Sequence, residues 1–312
     1  MAVNRKPLYF YLSPVTWPTW VGLGILRVVC CLPVPVALAL GRRLGWFARL
    51  IGGKRRAIAR RNIELCFPDL NAGEINHLER EHFAALGMSV IEMGLGRWAH
   101  DDRLIAIMSI EGLGHVLQAV NDGHGVILLS AHFTTVELTG RVMKLNTPPF
   151  DAVYRNNRSA FATEMLRTGR ERSAANTIEK RDIKSMVRSL REGRIVWYAP
   201  DQSYNRKGAE VIEFFGVPSM HTTATSTLAR LGKAVTIPYF PQRLPNGQYH
   251  LKILPPLENF PSNDAVADTK QYIRVLEEHI RQCPEQYLWV HRKFKNLPDT
   301  YPDYYADLDA AK

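Results

Sequence analysis

The chain has few cysteines: four in 312 residues, two of which, Cys30 and Cys31, are adjacent. No CxxC pair is present, so the sequence indicates neither a zinc site nor a disulfide framework. Internal repeats and low-complexity segments are also lacking. Hydrophobic residues make up 46% and charged residues 22%, which excludes a fully disordered chain. The length suits one α/β domain with an added terminal element.

Long apolar runs are equally scarce. Only residues 17–41 are apolar for long enough to cross a bilayer, with Arg27 as their single charge, so a polytopic membrane protein is excluded. A signal peptide is disfavoured because Arg27 interrupts the run and no clean small-residue cleavage site follows. Pro33 and Pro35 predict a kink or split near residue 33. We therefore expect a membrane-anchoring helix that is bent or half-inserted.

Acidic residues are missing from residues 41–63, which contain eight Arg or Lys side chains. These eight account for most of the formal net charge of +10. A solvated helix face is the simple interpretation, but apolar residues share the segment. After an apolar run, this pattern predicts a helix on an anionic membrane surface, with the rest of the chain in the cytosol. Nucleic-acid binding is disfavoured because no nucleic-acid motif accompanies the charges.

The remainder alternates between strand and helix patterns, which predicts an α/β sheet with helices on both faces. We expect a membrane anchor and basic amphipathic segment over residues 1–62 and a second domain over residues 63–312. The expected strands are 126–130, 151–155, 194–199, 235–240, 249–254 and 287–290. The main expected helices are 71–98, 134–144, 160–172, 182–191, 222–231 and 265–282.

The sharpest chemical pattern is His132-Phe133-Thr134-Thr135-Val136-Glu137, which follows the buried strand at 126–130. Active sites of such sheets lie at the carboxyl ends of strands. A histidine in the turn before a helix can fold back toward a glutamate in its first turn. Glu137 could then accept a hydrogen bond from Nδ1–H and leave Nε2 of His132 as a base. The alternative is a capping box, with Thr134 as N-cap and Glu137 three residues on.

The His132-x4-Glu137 spacing resembles the HX4(D/E) signature of glycerolipid-type acyltransferases. Further motifs sharpen this resemblance, and the ordered set is similar to the late acyltransferases of lipid A biosynthesis, the lauroyl/myristoyl type. The resemblance covers essentially the whole chain. Its further motifs are residues 154–157 (YRNN), 167–170 (RTGR), 196–202 (VWYAPDQ), 214–218 (FFGVP) and 285–295 (EQYLWVHRKFK).

The resemblance implies an enzyme of the glycerolipid acyltransferase-like fold on the cytoplasmic face of a cell inner membrane. It would move a fatty acyl chain, which we expect to be lauroyl, from acyl carrier protein to a 3-hydroxyacyl hydroxyl. The acceptor would be a Kdo-bearing lipid A precursor, Kdo2-lipid IVA. Anionic inner-membrane lipids are further expected partners, whereas no nucleic acid, cofactor or metal is expected.

The same resemblance suggests roles for individual side chains. His132 and Glu137 would be the catalytic pair. Arg170 would contact either the anionic groups of the acceptor or the thioester end of the donor. Arg155, Tyr154, Asp201 and Gln202 would also contact substrate. Arginine forks suit the phosphates and carboxylates of such an acceptor.

Two alternative functions stay open at this point. A related acyltransferase could use a lysophospholipid or glycolipid acceptor. A non-catalytic membrane-surface protein could use the basic segment alone to bind anionic lipid. The stretch 287–295 is interpreted as a structural strand with a basic exit.

Overall fold

A computed structural model describes residues 13–154, 169 and 173–310. Its helices are α1 (Trp17–Val29), α2 (Val34–Ile51), α3 (Gly53–Cys66), α4 (Ala72–Trp98), α5 (Asp101–Ile105), α6 (Leu113–Asn121), α7 (Val136–Asn146), α8 (Ile183–Arg191), α9 (Ala224–Gly232), α10 (Ala265–Gln282) and α11 (Ala306–Ala310). Its strands are β1 (Met108–Glu111), β2 (Gly125–Leu129), β3 (Phe150–Tyr154), β4 (Asn176–Glu179), β5 (Ile195–Tyr198), β6 (Ala209–Phe214), β7 (Val217–Thr222), β8 (Ala234–Arg243) and β9 (Tyr249–Ile253).

Seven strands form one sheet in the order β1-β9-β8-β2-β5-β3-β4. The five strands from β8 to β4 are parallel to one another, and β9 joins β8 antiparallel. Every residue of β2 is buried, as expected of a central strand covered on both faces by helices. The predicted α/β sheet is therefore confirmed, and β2 lies at its centre between β8 and β5.

The predicted elements correspond closely to observed ones where helices and central strands are concerned. Helix α4 begins as the sequence indicates, because Asn71 and Glu74 form a reciprocal capping box. The hairpin of β6 and β7 was not predicted, and neither were the edge strands β1 and β4. The expected strand at 287–290 is wrong: this stretch is irregular and makes one isolated bridge, Phe133 to Tyr287. The expected helix at 160–172 lies outside the described residues, apart from Gly169.

The N-terminal apolar run forms two helices that are separated at Pro33, as its prolines predict. Among the described residues, no helix combines the length and apolar character needed to cross a bilayer. The expected single membrane-anchoring helix is therefore not supported. Both helices nevertheless turn large apolar side chains outward. This set, called here the apolar helical face, comprises Trp17, Val21, Ile25 and Val28 on α1 and Val36, Leu40, Leu44 and Phe47 on α2.

The opposite side of α2 packs tightly against α4 through glycine. A Cβ at Gly45 would collide with the main-chain oxygen of Phe83, and one at Gly87 would collide with that of Gly41. Such close approach of two helix backbones requires residues without a side chain at the crossing. Helix α2 is therefore a packed layer of the fold, and its buried residues share a core cluster with α4.

The basic run is largely paired inside the molecule. Six of its eight cations form ion pairs, most of them with acids on α4 or near the C-terminus, and Arg60 also pairs with Glu64 four residues away. The fully buried carboxylate of Glu79 on α4 meets both Arg49 and Arg56, at 3.0 Å and 2.8 Å. Near the C-terminus, Asp307 pairs with Arg61 at 2.6 Å. The predicted boundary at residue 62 falls within α3 and remains a prediction.

Candidate active site

The candidate site follows from the register of the two central strands. Leu129 of β2 pairs with Tyr198 of β5, and the ladder continues one step further, where the Ser130 amide donates to the Tyr198 carbonyl at 2.8 Å. His132 and Asp201 each lie three residues beyond these paired positions. Because parallel strands end at the same sheet edge, the two chains leave side by side and bring the imidazole and the carboxylate together.

Asp201 holds His132 by two hydrogen bonds. Nδ1 of the imidazole lies 2.6 Å from Oδ1 of Asp201, and the His132 amide donates to Oδ2 at 3.1 Å. A neutral imidazole that donates from Nδ1 carries its lone pair on Nε2, so Nε2 is the nitrogen that can accept a proton. The His132 side chain is 36% exposed and that of Asp201 only 2%. The base can thus be reached while its carboxylate is shielded from water.

Glu137 is not the carboxylate at Nδ1, contrary to the sequence-based expectation. It lies in the first turn of α7 and lines a separate, mainly apolar pocket with Leu23, Leu26 and Trp98. The capping-box alternative does not form either. Helix α7 begins at Val136, and its N-cap, Thr135, makes no side-chain capping bond. A catalytic role for Glu137 therefore remains a prediction.

Of the other predicted site residues, one lies in the His132 pocket, one lies outside it, and two are not among the described residues. Gln202 lines the same pocket as His132 and Asp201. Tyr154 ends β3, one strand beyond β5, at the same edge of the sheet but outside the lining of this pocket. Arg155 and Arg170 lie outside the described residues, so their roles remain predictions.

The C-terminal loop supplies residues that the sequence analysis did not assign to the site. The Tyr287 hydroxyl donates to Oδ2 of Asp201 at 3.1 Å, and Nζ of Lys293 donates to the Asp201 carbonyl at 2.6 Å. We call His132, Asp201, Tyr287 and Lys293 the proton-transfer site. The sequence signal for these residues is their place in the motif at 285–295. Interpreting that stretch as a structural strand gave no reason to expect that Tyr287 and Lys293 point toward Asp201.

Helix α3 fastens this loop. Nδ2 of Asn62 donates to the carbonyls of Trp289 and His291 at 2.6 Å and 2.7 Å. Asn62 also lines the His132 pocket. The N-terminal region thus contributes directly to one wall of the site. Its contribution is Asn62, the last residue of the predicted segment 1–62, which was expected to be separate from the catalytic domain.

Opposing effects set the charge state of the site. Burial acts to raise the pKa of Asp201, but the adjacent His132 and the Lys293 ammonium outweigh it and hold the pKa below its ordinary value. Burial lowers the pKa of Lys293 to about 8, although Asp201 acts in the opposite direction. Burial, together with Lys295, lowers the pKa of His291 to about 4. At neutral pH the site therefore holds an ionised Asp201, a charged Lys293 and a neutral His291.

The fold and the site together define an α/β protein with a histidine–aspartate pair suited to general-base chemistry at the carboxyl edge of its sheet. The family model for bacterial lipid A biosynthesis acyltransferases matches residues 6–296. The chain belongs to this family and is an acyltransferase.

The curated relatives agree with this assignment over more than nine tenths of the chain. The lipid A biosynthesis lauroyltransferase of Escherichia coli (strain K12) is 35% identical over 94% of this chain and 96% of its own length. The palmitoleoyltransferase of lipid A biosynthesis from the same strain is 37% identical over 92% of this chain and 94% of its own length. A lipid A biosynthesis acyltransferase of Haemophilus influenzae is 35% identical over 93% of this chain and 94% of its own length.

Proposed function

We propose that the chain transfers a fatty acyl group from acyl carrier protein to the 3-hydroxyacyl hydroxyl of Kdo2-lipid IVA, with His132 as the general base. The observation that carries this proposal is the 2.6 Å contact between Nδ1 of His132 and Asp201 at the sheet edge. Lauroyl is our preferred chain, as it was from the sequence. Relatives named for lauroyl and palmitoleoyl transfer are similar at 35% and 37% identity, so identity alone does not choose between them.

In the proposed reaction the acceptor hydroxyl donates its proton to Nε2 of His132 as its oxygen attacks the thioester carbonyl. The new C–O bond forms, and the C–S bond breaks when the tetrahedral intermediate collapses. The imidazolium returns its proton to the departing thiolate of the carrier. Asp201 stabilises the imidazolium, because an ionised carboxylate already lies at Nδ1. Proton transfer of this kind contributes typically about 10²–10⁴-fold to the rate.

The remaining site residues receive roles by position. Glu137 borders the mainly apolar pocket near Leu23 and Trp98, and we propose that it acts in the same reaction step as His132. Arg170 and Arg155 are proposed to bind the anionic groups of the acceptor, with Tyr154 and Gln202 also contacting substrate. The acidic carrier protein would dock on exposed basic residues, which raises the association rate more than the affinity.

We further propose that the protein works at the cytoplasmic face of the inner membrane, on which the apolar helical face rests. Its eight side chains recur at spacings of three and four residues within each helix and are 42–68% exposed, with Trp17 at 58% and Phe47 at 59%. Such stripes are typical of helices that lie in a membrane interface. Attraction to anionic lipid is a smaller contribution, since most of the basic run is already paired.

The test uses the full chain purified in detergent, with lauroyl carrier protein as donor and Kdo2-lipid IVA as acceptor. His132→Ala should lower transfer by about 10²–10⁴-fold while the melting temperature stays near that of the wild type. His124→Ala is the matched control, since His124 is exposed in the turn before β2. Folded His132→Ala protein with full activity would exclude the assignment of the base.

The same assay separates the alternatives. Lauroyl, myristoyl and palmitoleoyl donors are compared with one acceptor to determine the preferred chain. Lysophospholipid and glycolipid acceptors are then compared with one donor. Transfer to these acceptors alone would favour the related acyltransferase over the proposed function.

A further inference from the structure

Lys293 is a cation enclosed by the protein interior. Its side chain belongs to a residue that is 2% exposed. Nζ donates to the Asp201 carbonyl at 2.6 Å, lies 3.4 Å from Nε2 of His221, and sits 4.6 Å from the centre of the Phe214 ring. A charged amine is costly to bury unless a charge nearby compensates it. The compensating charge here is the carboxylate that holds His132.

Several titratable groups from different elements surround Lys293. Burial acts to lower its pKa, whereas Asp201, Cys66 and Glu277 act to raise it. His221 adds no second charge, because burial and the nearby Lys293 hold its pKa well below the ordinary value. The titratable groups that face Lys293 are Asp201 after β5, Cys66 of α3, Glu277 of α10 and His221 of β7. His132 and His291 lie beside Asp201.

We propose that Lys293 is a positioning residue for the acyl transfer: its hydrogen bond fixes the main chain at Asp201, and its positive charge keeps His132 unprotonated and ready to act as base. The inference rests on the proposed function. Lys293 acts through Asp201, since its ammonium contacts the carbonyl of that residue and not the imidazole.

The charge and the hydrogen bond make different contributions. A cation close to a histidine disfavours the second positive charge of an imidazolium. Removing it makes the imidazolium easier to form, so more of the base is protonated at a given pH. The acid limb of kcat/KM should then move to higher pH. A purely structural role of Lys293 would lower activity by the same factor at each pH.

Two variants separate these contributions. Lys293→Gln removes the charge but retains an N–H donor on a side chain one bond shorter, whereas Lys293→Arg keeps the charge. In Lys293→Gln, the acid limb of kcat/KM should move to higher pH by about one unit or more. At a pH below the wild-type limb, kcat/KM should therefore be lower than that of the wild type by about tenfold. Lys293→Arg should keep the limb where it is, at whatever rate remains. Lys270→Met, on the exposed face of α10, controls for net charge.

A double variant tests the route through Asp201. At a pH above the acid limb, Lys293→Gln in an Asp201→Asn background should cause little further loss of rate, because residues that act as one unit give non-additive effects. All rates are measured between pH 5 and pH 8 with lauroyl carrier protein and Kdo2-lipid IVA, and melting temperatures are recorded for each variant.

The outcomes are distinct. A folded Lys293→Gln protein with the wild-type acid limb overturns the inference. If Lys293→Gln does not fold, Lys293→Arg decides, because a limb that rises by a full pH unit despite the retained charge overturns it equally. Absence of transfer by the wild type itself would instead mean that the proposed function is wrong.

Discussion

The proton-transfer site and the apolar helical face are built on opposite physical principles. In the site, charged and polar groups are buried and joined by hydrogen bonds. The Asp201 carboxylate accepts three of them, from the His132 amide, the His132 ring and the Tyr287 hydroxyl. On the face of α1 and α2, apolar side chains such as Val21 and Ile25 point outward. Buried polar groups depend on each partner, whereas exposed apolar side chains are individually replaceable. The two regions should therefore respond very differently to substitution.

A region between them explains how they are connected. Helix α2 packs on α4 through Gly41, Gly45 and Gly87, and α3 then carries Asn62 to the C-terminal loop. The N-terminal region thus has an outward side that the fold can spare and an inward side on which the site depends. Substitutions on these two sides provide the sharpest tests of the comparison.

The largest effect is expected for Asp201, the carboxylate beside the base. Asp201→Asn should lower kcat/KM by about 10²–10⁴-fold, because an amide leaves the imidazolium without its charge partner and can favour the wrong tautomer. Glu137→Gln should cost less, about 10- to 150-fold, because Glu137 lines a separate pocket and is not the charge partner at Nδ1. Both are measured by steady-state kinetics on folded protein. A greater loss from Glu137→Gln would make Glu137 the principal carboxylate of the reaction.

An intermediate effect is expected where α2 meets α4. Gly45→Ala introduces a Cβ against the Phe83 main chain, and overpacking of this kind costs about 1–3 kcal/mol of the free energy of unfolding. Gly22→Ala is the matched control, since no atom lies within 4 Å of its added Cβ. In a helix interior it should be neutral or stabilising by up to about 1 kcal/mol. Urea unfolding in detergent measures both, and equal stability would contradict the close packing of these helices.

The smallest effect on chemistry is expected on the apolar helical face. Val21→Asn combined with Ile25→Asn should reduce binding to anionic lipid vesicles by about tenfold or more, because two apolar side chains no longer enter the bilayer. Turnover of detergent-solubilised acceptor should stay within about twofold of the wild type. Ile183→Asn on α8, which is 40% exposed, controls for an apolar side chain elsewhere on the surface. Equal loss of turnover in vesicles and in detergent would show that the face belongs to the site.

Regular elements with strong periodicity could be predicted from the sequence. Strand β2 is marked by its continuous apolar run, the start of α4 by the capping box of Asn71 and Glu74, and α10 by apolar side chains at helical spacing. The hairpin of β6 and β7 was missed, since its two-residue turn is Phe215-Gly216, with Phe215 at a φ of +53°. A bulky residue in a left-handed conformation is an unusual turn signal. The stretch 287–290 gives the opposite error, a strand that was predicted and does not form. Its aromatic side chains are buried because they pack around the site, which produces a strand-like pattern in an irregular segment.

The sequence by itself determined the family, the central strands and the position of His132 after β2, because these depend on local pattern and on ordered motifs. Only the tertiary structure decided which carboxylate lies at Nδ1. That choice depends on the pairing of Leu129 with Tyr198, which aligns Asp201 with a histidine 69 residues away. The tertiary structure likewise brought Lys293 and Asn62 to the site, since contacts between remote segments follow from register and packing and leave no periodic signal in the chain.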